Sequence, residues 1–135
     1  MSLDHHFNEI SNYVNGKNLI LHTDIGVILN KYPELQRNTK KKTLKNFCKT
    51  IVENINAKSI FIPSFNYEFI KSNIYDVEND IGQIGSLSEF VSKEYSEQRT
   101  KVPVFSHVDI KSIYSDNNII KDKIKAFGKG SFYDW

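Results

Sequence analysis

The side chains of this 135-residue chain whose type and setting could do chemistry are two of its four histidines, a few carboxylates, Arg99 and some hydroxyls. Imidazole is the side chain suited to moving protons near neutral pH. His22 closes the apolar run Leu19-Ile20-Leu21, and His107 follows Ser106 at the start of an alternating run. Each also has a plainer reading: His22 as a core histidine satisfied by backbone, His107 as a partly exposed strand histidine. Ser106 and Ser131 carry no activating base pattern of their own, so neither reads as a nucleophile. Glu89 falls three residues after Ser86, the spacing of a capping box, a role that still leaves its carboxylate to orient a neighbour. Arg99 either pairs with a carboxylate or phosphate or lies on the surface. Asp76, Glu78 and Asp80 cluster just before Gly82, as a solvated loop or as a face toward a cationic ligand. Two Gly-containing turns, Thr23–Val27 and Gly128–Ser131, suit anions, because strand-to-helix turns present free backbone N–H groups.

The elements that must position these groups alternate between two periods. Leu3, Phe7, Ile10 and Val14 recur at helical spacing until Asn15-Gly16. Asn18 to Thr23 is almost wholly apolar before its polar end, as a strand buried on both faces reads. A polar turn at His22–Val27 follows, and residues 30–42 are polar and basic. Leu44, Phe47, Cys48, Ile51, Val52 and Ile55 form one apolar helical stripe, with Asn38 or Thr39 as its N-cap. Cys48 lies on that stripe and reads as a small core residue. Ser59-Ile-Phe-Ile-Pro63 is a second buried strand, stopped by its proline. Ser64 to Glu78 has no clear period and reads as a long excursion. Ser86 to Val91 opens a helix, residues 102–108 are extended, and residues 107–114 alternate at strand period. Ile119, Ile120 and Ile124 suggest a last short helix ended by Gly128. Strand–helix–strand alternation predicts one α/β domain, layered α/β/α, around a mixed or mostly parallel sheet.

Composition narrows the classes. The chain is 39% hydrophobic and 25% charged, within the range of globular domains, with a net charge of +2. That charge is too small to imply nucleic acid by itself. The Lys40-Lys41-Lys42 tract, with Lys45 and Lys49, reads as a helix's solvent face. Its alternatives are phosphate steering or a basic interaction surface, and no interleaved aromatics support a nucleic-acid groove. A single cysteine excludes an internal disulfide framework and a cysteine-based zinc cluster, and makes a reducing cytoplasm the expected setting. No apolar run suits a membrane span.

Four blocks, in order, resemble the aminoglycoside 3-N-acetyltransferase family. Leu21-His-Thr-Asp-Ile-Gly-Val-Ile28 is similar to its His-Ser-Ser-Leu-x-x-x-Gly strand end, and Ser59-Ile-Phe-Ile-Pro-Ser-Phe65 to its Thr-Leu-Val-Met-Pro-Thr-Phe strand and turn. Gly85-Ser-Leu-Ser-Glu-Phe90 with Arg99-Thr-Lys-Val-Pro-Val-Phe-Ser106 resembles Gly-x-Leu/Ile-Ser-Glu-Phe followed by Arg-Ser-x-His-Pro-x-x-Ser. Phe127-Gly-Lys-Gly-Ser131 is similar to Phe-Gly-x-Gly-Ser-Pro. The resemblance covers Leu19 to Trp135, corresponding to the N-terminal part of a longer enzyme; a fragment, a truncated product and a short variant with a partner all stand as explanations. A sheet ending at such a point leaves an edge that favours homo-oligomers.

The resemblance implies acetyl transfer from acetyl-CoA to an amine of an aminoglycoside or related amino sugar. It implies cofactor contacts at His22, Thr23, Asp24, Gly26, Val27, Ser64, Arg99, Ser106, Gly128, Gly130 and Ser131. Asp76, Glu78 and Asp80 would face a cationic acceptor, and Glu89 matches the family glutamate. The family's catalytic histidine falls at Val102, which cannot accept a proton. His107 is then the expected replacement base. The other implied outcome is a non-catalytic CoA- or sugar-binding module that kept the fold and lost the histidine.

Overall fold

In the computed structural model, residues 2–36, 39–111 and 126–134 are described. Ser2 caps the first helix, its Oγ accepting from His5 N at 3.3 Å. That helix, α1 (Leu3–Val14), buries Phe7 and lays Leu3, Ile10 and Val14 against the core. Gly16, at φ +69°, turns the chain in the left-handed region, into β1 (Asn18–Ile20). The apolar stripe of α3 (Lys40–Asn54) buries Leu44, Phe47, Cys48 and Ile51, and Thr39 is its N-cap, with Oγ1 3.3 Å from Lys42 N. Burial pushes the Cys48 thiol up to about 12, so it packs as a small hydrophobe.

Three strands form the sheet among the described residues, in the order β1-β2-β3. β2 (Ser59–Pro63) pairs parallel with β1, Leu19 opposite Ile60. β3 (His107–Asp109) pairs antiparallel with β2, Val108 opposite Ile62. The sheet is therefore mixed. All five residues of β2 are buried because it has a neighbour on each side. β1 is only half-buried, against the expectation of burial on both faces: it and β3 are the two outer strands, but β3 also bridges to Arg99 through Val108, whereas β1 pairs with β2 alone among the described residues.

Alternation along β2 divides the interior. Ile60 and Ile62 face a large cluster that includes Val108, Phe7, Leu44, Phe47, Ile51 and Val91. Phe61 faces the other way, into a smaller cluster with Val102 and Phe132, flanked by Phe105, Ala126 and Tyr133. Helices thus pack on one face, and loop residues from 102–105 and 126–133 cover the other.

Three local expectations change. Where residues 22–27 read as a polar turn and 30–42 as polar and basic, Asp24 caps the seven-residue α2 (Ile25–Lys31), and Pro33–Gln36 make a 3-10 turn. Two turns of helix are too short to reveal a 3.6-residue period. The excursion after β2 contains a single helical turn, α4 (Phe69–Ser72), ended by Asn73 in the left-handed region at φ 56°. The capping box is absent. Gly85, at φ 116°, takes the N-cap of α5 (Ser86–Glu94), so Ser86 is already helical, and Glu89 bonds Lys93 instead. The expected helix around Ile119–Ile124, and strand residues beyond 111, lie outside the described residues.

Close approach, not turn geometry, requires glycine at position 82. A methyl group there would lie 2.3 Å from Ser88 Oγ and 2.6 Å from the Ser88 carbonyl oxygen. The hydroxyl can rotate away, whereas the helical carbonyl cannot. Gly82→Ala is expected to cost about 1–3 kcal/mol, read as a lower urea midpoint at unchanged slope.

Candidate functional site

Strand direction brings the conspicuous residues to one edge. β1 and β2 run parallel, so the turns after Ile20 and Pro63 emerge together. β3 runs antiparallel, so Ser106 and the start of β3 meet that same edge: Ser106 O accepts from Ser64 N at 2.9 Å. A cavity of about 890 Å³ opens beside it, within the size range of ligand sites. Its apolar wall includes Leu21, Leu29, Leu44, Ile62 and Leu87, and its polar lining includes His22, Thr23, Asp24, Lys40 and Ser86.

The cavity rim is built from helix starts. Asp24 Oδ1 accepts from Gly26 N at 2.9 Å and Val27 N at 3.3 Å, which commits that oxygen to capping α2. Gly26 leaves little room, since a Cβ would sit 3.2 Å from the same oxygen. Lys40 opens α3, and Gly85 and Ser86 open α5, whose N-cap supplies no side-chain acceptor. Of these helix starts only that of α5 lacks a side-chain cap, and the Lys40 ammonium shares the rim with it, while the Asp24 carboxylate places a negative charge at the α2 start. Of the residues assigned to a cofactor, His22, Thr23, Asp24 and Gly26 line the cavity; Val27 lies next to them in α2, 63% exposed.

The remaining cofactor candidates lie elsewhere. Arg99 is 2% exposed and does not reach the surface. Its Nε donates to Ser106 Oγ at 3.1 Å and its Nη2 to Ser64 O at 2.8 Å. Nη1 donates to the Asp80 and Val77 carbonyls. The guanidinium also lies 5.5 Å from the centre of the Tyr75 ring, and the Tyr75 hydroxyl donates to Thr100 O at 2.7 Å. Ser64 and Ser106, both without exposed surface, join the network through an Oγ–Oγ contact of 3.0 Å. Arg99 therefore staples the strand ends and the loop before α5 through carbonyls, where a surface position or a carboxylate or phosphate partner was expected. Ser131 is 2% exposed, and its Oγ finds no hydrogen-bond partner among the described residues. Gly128 and Gly130 shape its turn at φ 93° and 75°. None of these residues lines the cavity.

The proton-transfer candidates are treated oppositely by the fold. His107 has no exposed surface. Its ring stacks on Phe132 at 4.5 Å and meets Phe61, Phe65 and Tyr133 edge-on. Nδ1 lies 2.9 Å from Phe105 O, which can only accept, so Nδ1 carries the proton. Nε2 must then accept from the Tyr133 hydroxyl at 3.2 Å. Burial drives the imidazole down to about 3, only partly offset by the Phe105 carbonyl. His22 is exposed instead, its ring 6.4 Å from that of Phe65, against the expectation of a buried strand end. Val102, at the position of the family histidine, is 1% exposed and sealed in the smaller cluster.

No family model, curated protein or solved structure matches the chain. The site is therefore read from its own geometry.

Glu89 is half-exposed and pairs with Lys93 Nζ at 2.9 Å, and that bond holds its carboxyl below the usual range. It does not line the cavity. The acidic cluster is folded on itself. Asp76 Oδ1 accepts from Glu78 N and Asn79 N, both at 3.1 Å, and Asp80 Oδ2 accepts from Asp76 N at 2.9 Å. The Asn79 side chain, the largest influence, draws the Asp76 carboxyl down. These bonds account for Asp76 and Asp80 as turn formers, and Glu78 stays exposed. Lys40, read from sequence as solvent face with phosphate steering as an alternative, is exposed and also lines the cavity. Among the described residues, no group of three His, Cys, Asp or Glu side chains converges to hold a metal, and no helix is long and apolar enough to cross a membrane.

Proposed function

We propose that the chain binds acetyl-CoA in the cavity at the ends of β1 and β2, and that it transfers the acetyl group to an amine of an aminoglycoside or related amino sugar. The observation that carries this reading is the cavity's rim. Residues 22–26 and 85–88, from the first and third family-like blocks, meet there around about 890 Å³ of space beside Lys40. The uncapped start of α5 and the Lys40 ammonium suit the phosphates of CoA, and the leucine wall suits its pantetheine arm. A layered α/β/α fold, a cytoplasmic setting and self-association through a strand edge belong to the same proposal. Lys40, exposed at the start of α3, steers phosphate from that solvent face.

A second reading has its own support. Val102 lies sealed in apolar surroundings and His107 is enclosed by aromatic rings, so neither position offers a base to the cavity. The chain on this reading is a CoA-binding module without turnover. Calorimetric titration with CoA and acetyl-CoA tests the shared part. Binding is expected, and Lys40→Glu is expected to weaken it at least about tenfold, as loss of a charged hydrogen bond would. Absence of CoA binding by the unaltered protein rejects both readings. Thiol release against a panel of amines then separates enzyme from module.

A further inference from the structure

We infer that His22, at the mouth of the cavity, is the base that takes the attacking amine's proton; this rests on the acetyltransferase reading above. The ionisable side chains lining the cavity are His22, Asp24 and Lys40. Asp24 is committed to the α2 N-terminus through Oδ1. Lys40 is a cation at neutral pH and suits a phosphate better than a proton. His22 is exposed, lies in the turn two residues after β1, and has its ring edge-to-face with Phe65. His107 cannot replace it, because both its ring nitrogens are engaged and no surface is open to a ligand.

The step balances without a further reactant. An acceptor ammonium first loses one proton to solvent. The neutral amine nitrogen forms a bond to the thioester carbonyl carbon, and its second proton passes to the free imidazole nitrogen of His22. Collapse of the tetrahedral intermediate breaks the C–S bond, and the departing CoA sulfur takes the proton back from His22. The products are the amide and the CoA thiol. Positioned acid–base groups contribute about 10²–10⁴-fold to such steps. The charged groups that share the cavity lining with His22 are Asp24 in its own turn and Lys40 at the start of α3.

The test combines acetyl transfer to an amine panel, followed by thiol release between about pH 5.5 and 8.5, where imidazoles ordinarily titrate, with calorimetry using CoA. In His22→Gln, kcat should fall at least about 100-fold, CoA affinity should change less than about threefold, and the acid limb of the kcat profile should disappear. His22→Ala should regain turnover with added free imidazole, which a merely structural histidine would not permit. Unchanged kcat and an unchanged acid limb in His22→Gln, with CoA still bound, overturn the role of His22 alone. Wild-type protein that binds CoA but turns over no amine also overturns it, leaving the binding module. Wild-type protein that binds no CoA overturns the acetyltransferase reading itself.

Discussion

Moving the protein from pH 7 to pH 4 is expected to cost about 3 kcal/mol of stability through His107 alone. The folded state holds this imidazole near 3, and the unfolded chain restores it to the ordinary value of about 6.5. Between those values the unfolded state binds the extra proton, so stability falls as pH falls. The contribution is complete above about pH 6.5 and is lost progressively down to about 3. The cause is local. Nδ1 already spends its proton on Phe105 O and Nε2 faces the Tyr133 hydroxyl, so a second ring proton has to displace a donor inside an aromatic box. Urea unfolding at steps of pH reads the slope directly. His107→Asn should be less stable at pH 7 but lose most of the dependence between pH 6.5 and 4. A slope as steep in the variant as in wild type would assign it to other groups.

Arg99→Met is expected to remove about 3–5 kcal/mol, enough to abolish much of a small domain's stability. Methionine can fill the stem's volume, so packing is not the main loss. The Ser64, Asp80 and Val77 carbonyls and Ser106 Oγ would each lose a charged donor while remaining covered. A buried acceptor left unpaired costs about 1–3 kcal/mol. Arg99→Lys should recover only part, since an ammonium cannot repeat the planar fork that spans these acceptors. Chemical denaturation of the three proteins gives the order wild type, Lys, Met. Equal stability of wild type and Met would mean that the network closes without the guanidinium.

Much of the scaffold was legible because its signals are periodic. α1, α3 and β2 announce themselves through runs in which each position repeats the same instruction. The mixed sheet was legible only as one of two options, because pairing direction depends on how the chain returns, and β3 has just three residues. Chemistry was harder. Arg99 reads as a surface residue unless the carbonyls that surround it are known, and those come from positions 64, 77 and 80, distant in sequence. Glu89 matched a capping spacing, but the glycine before Ser86 took the cap, a choice fixed by backbone angles that spacing does not encode. His22 and His107 exchanged expected environments for one reason. Both lie by outer strands, but the start of β3 is folded under Phe132 and Tyr133 while the turn after β1 is left open, and neither fact is visible from either histidine's neighbours.

The division of β2 between two clusters also sets an order of events during synthesis. Residues 3–62 contain most of what covers Ile60 and Ile62, so that face can close early. Phe61 has to wait for Val102 and then for Phe132. At roughly 5–20 residues per second, a nascent chain carries this largely apolar strand half-covered for several seconds. During that interval its open face and unpaired edge can pair with other chains. Chaperone dependence and inclusion-body formation should therefore respond to the pace of translation through the second half of the message, even where the finished protein's stability is unchanged.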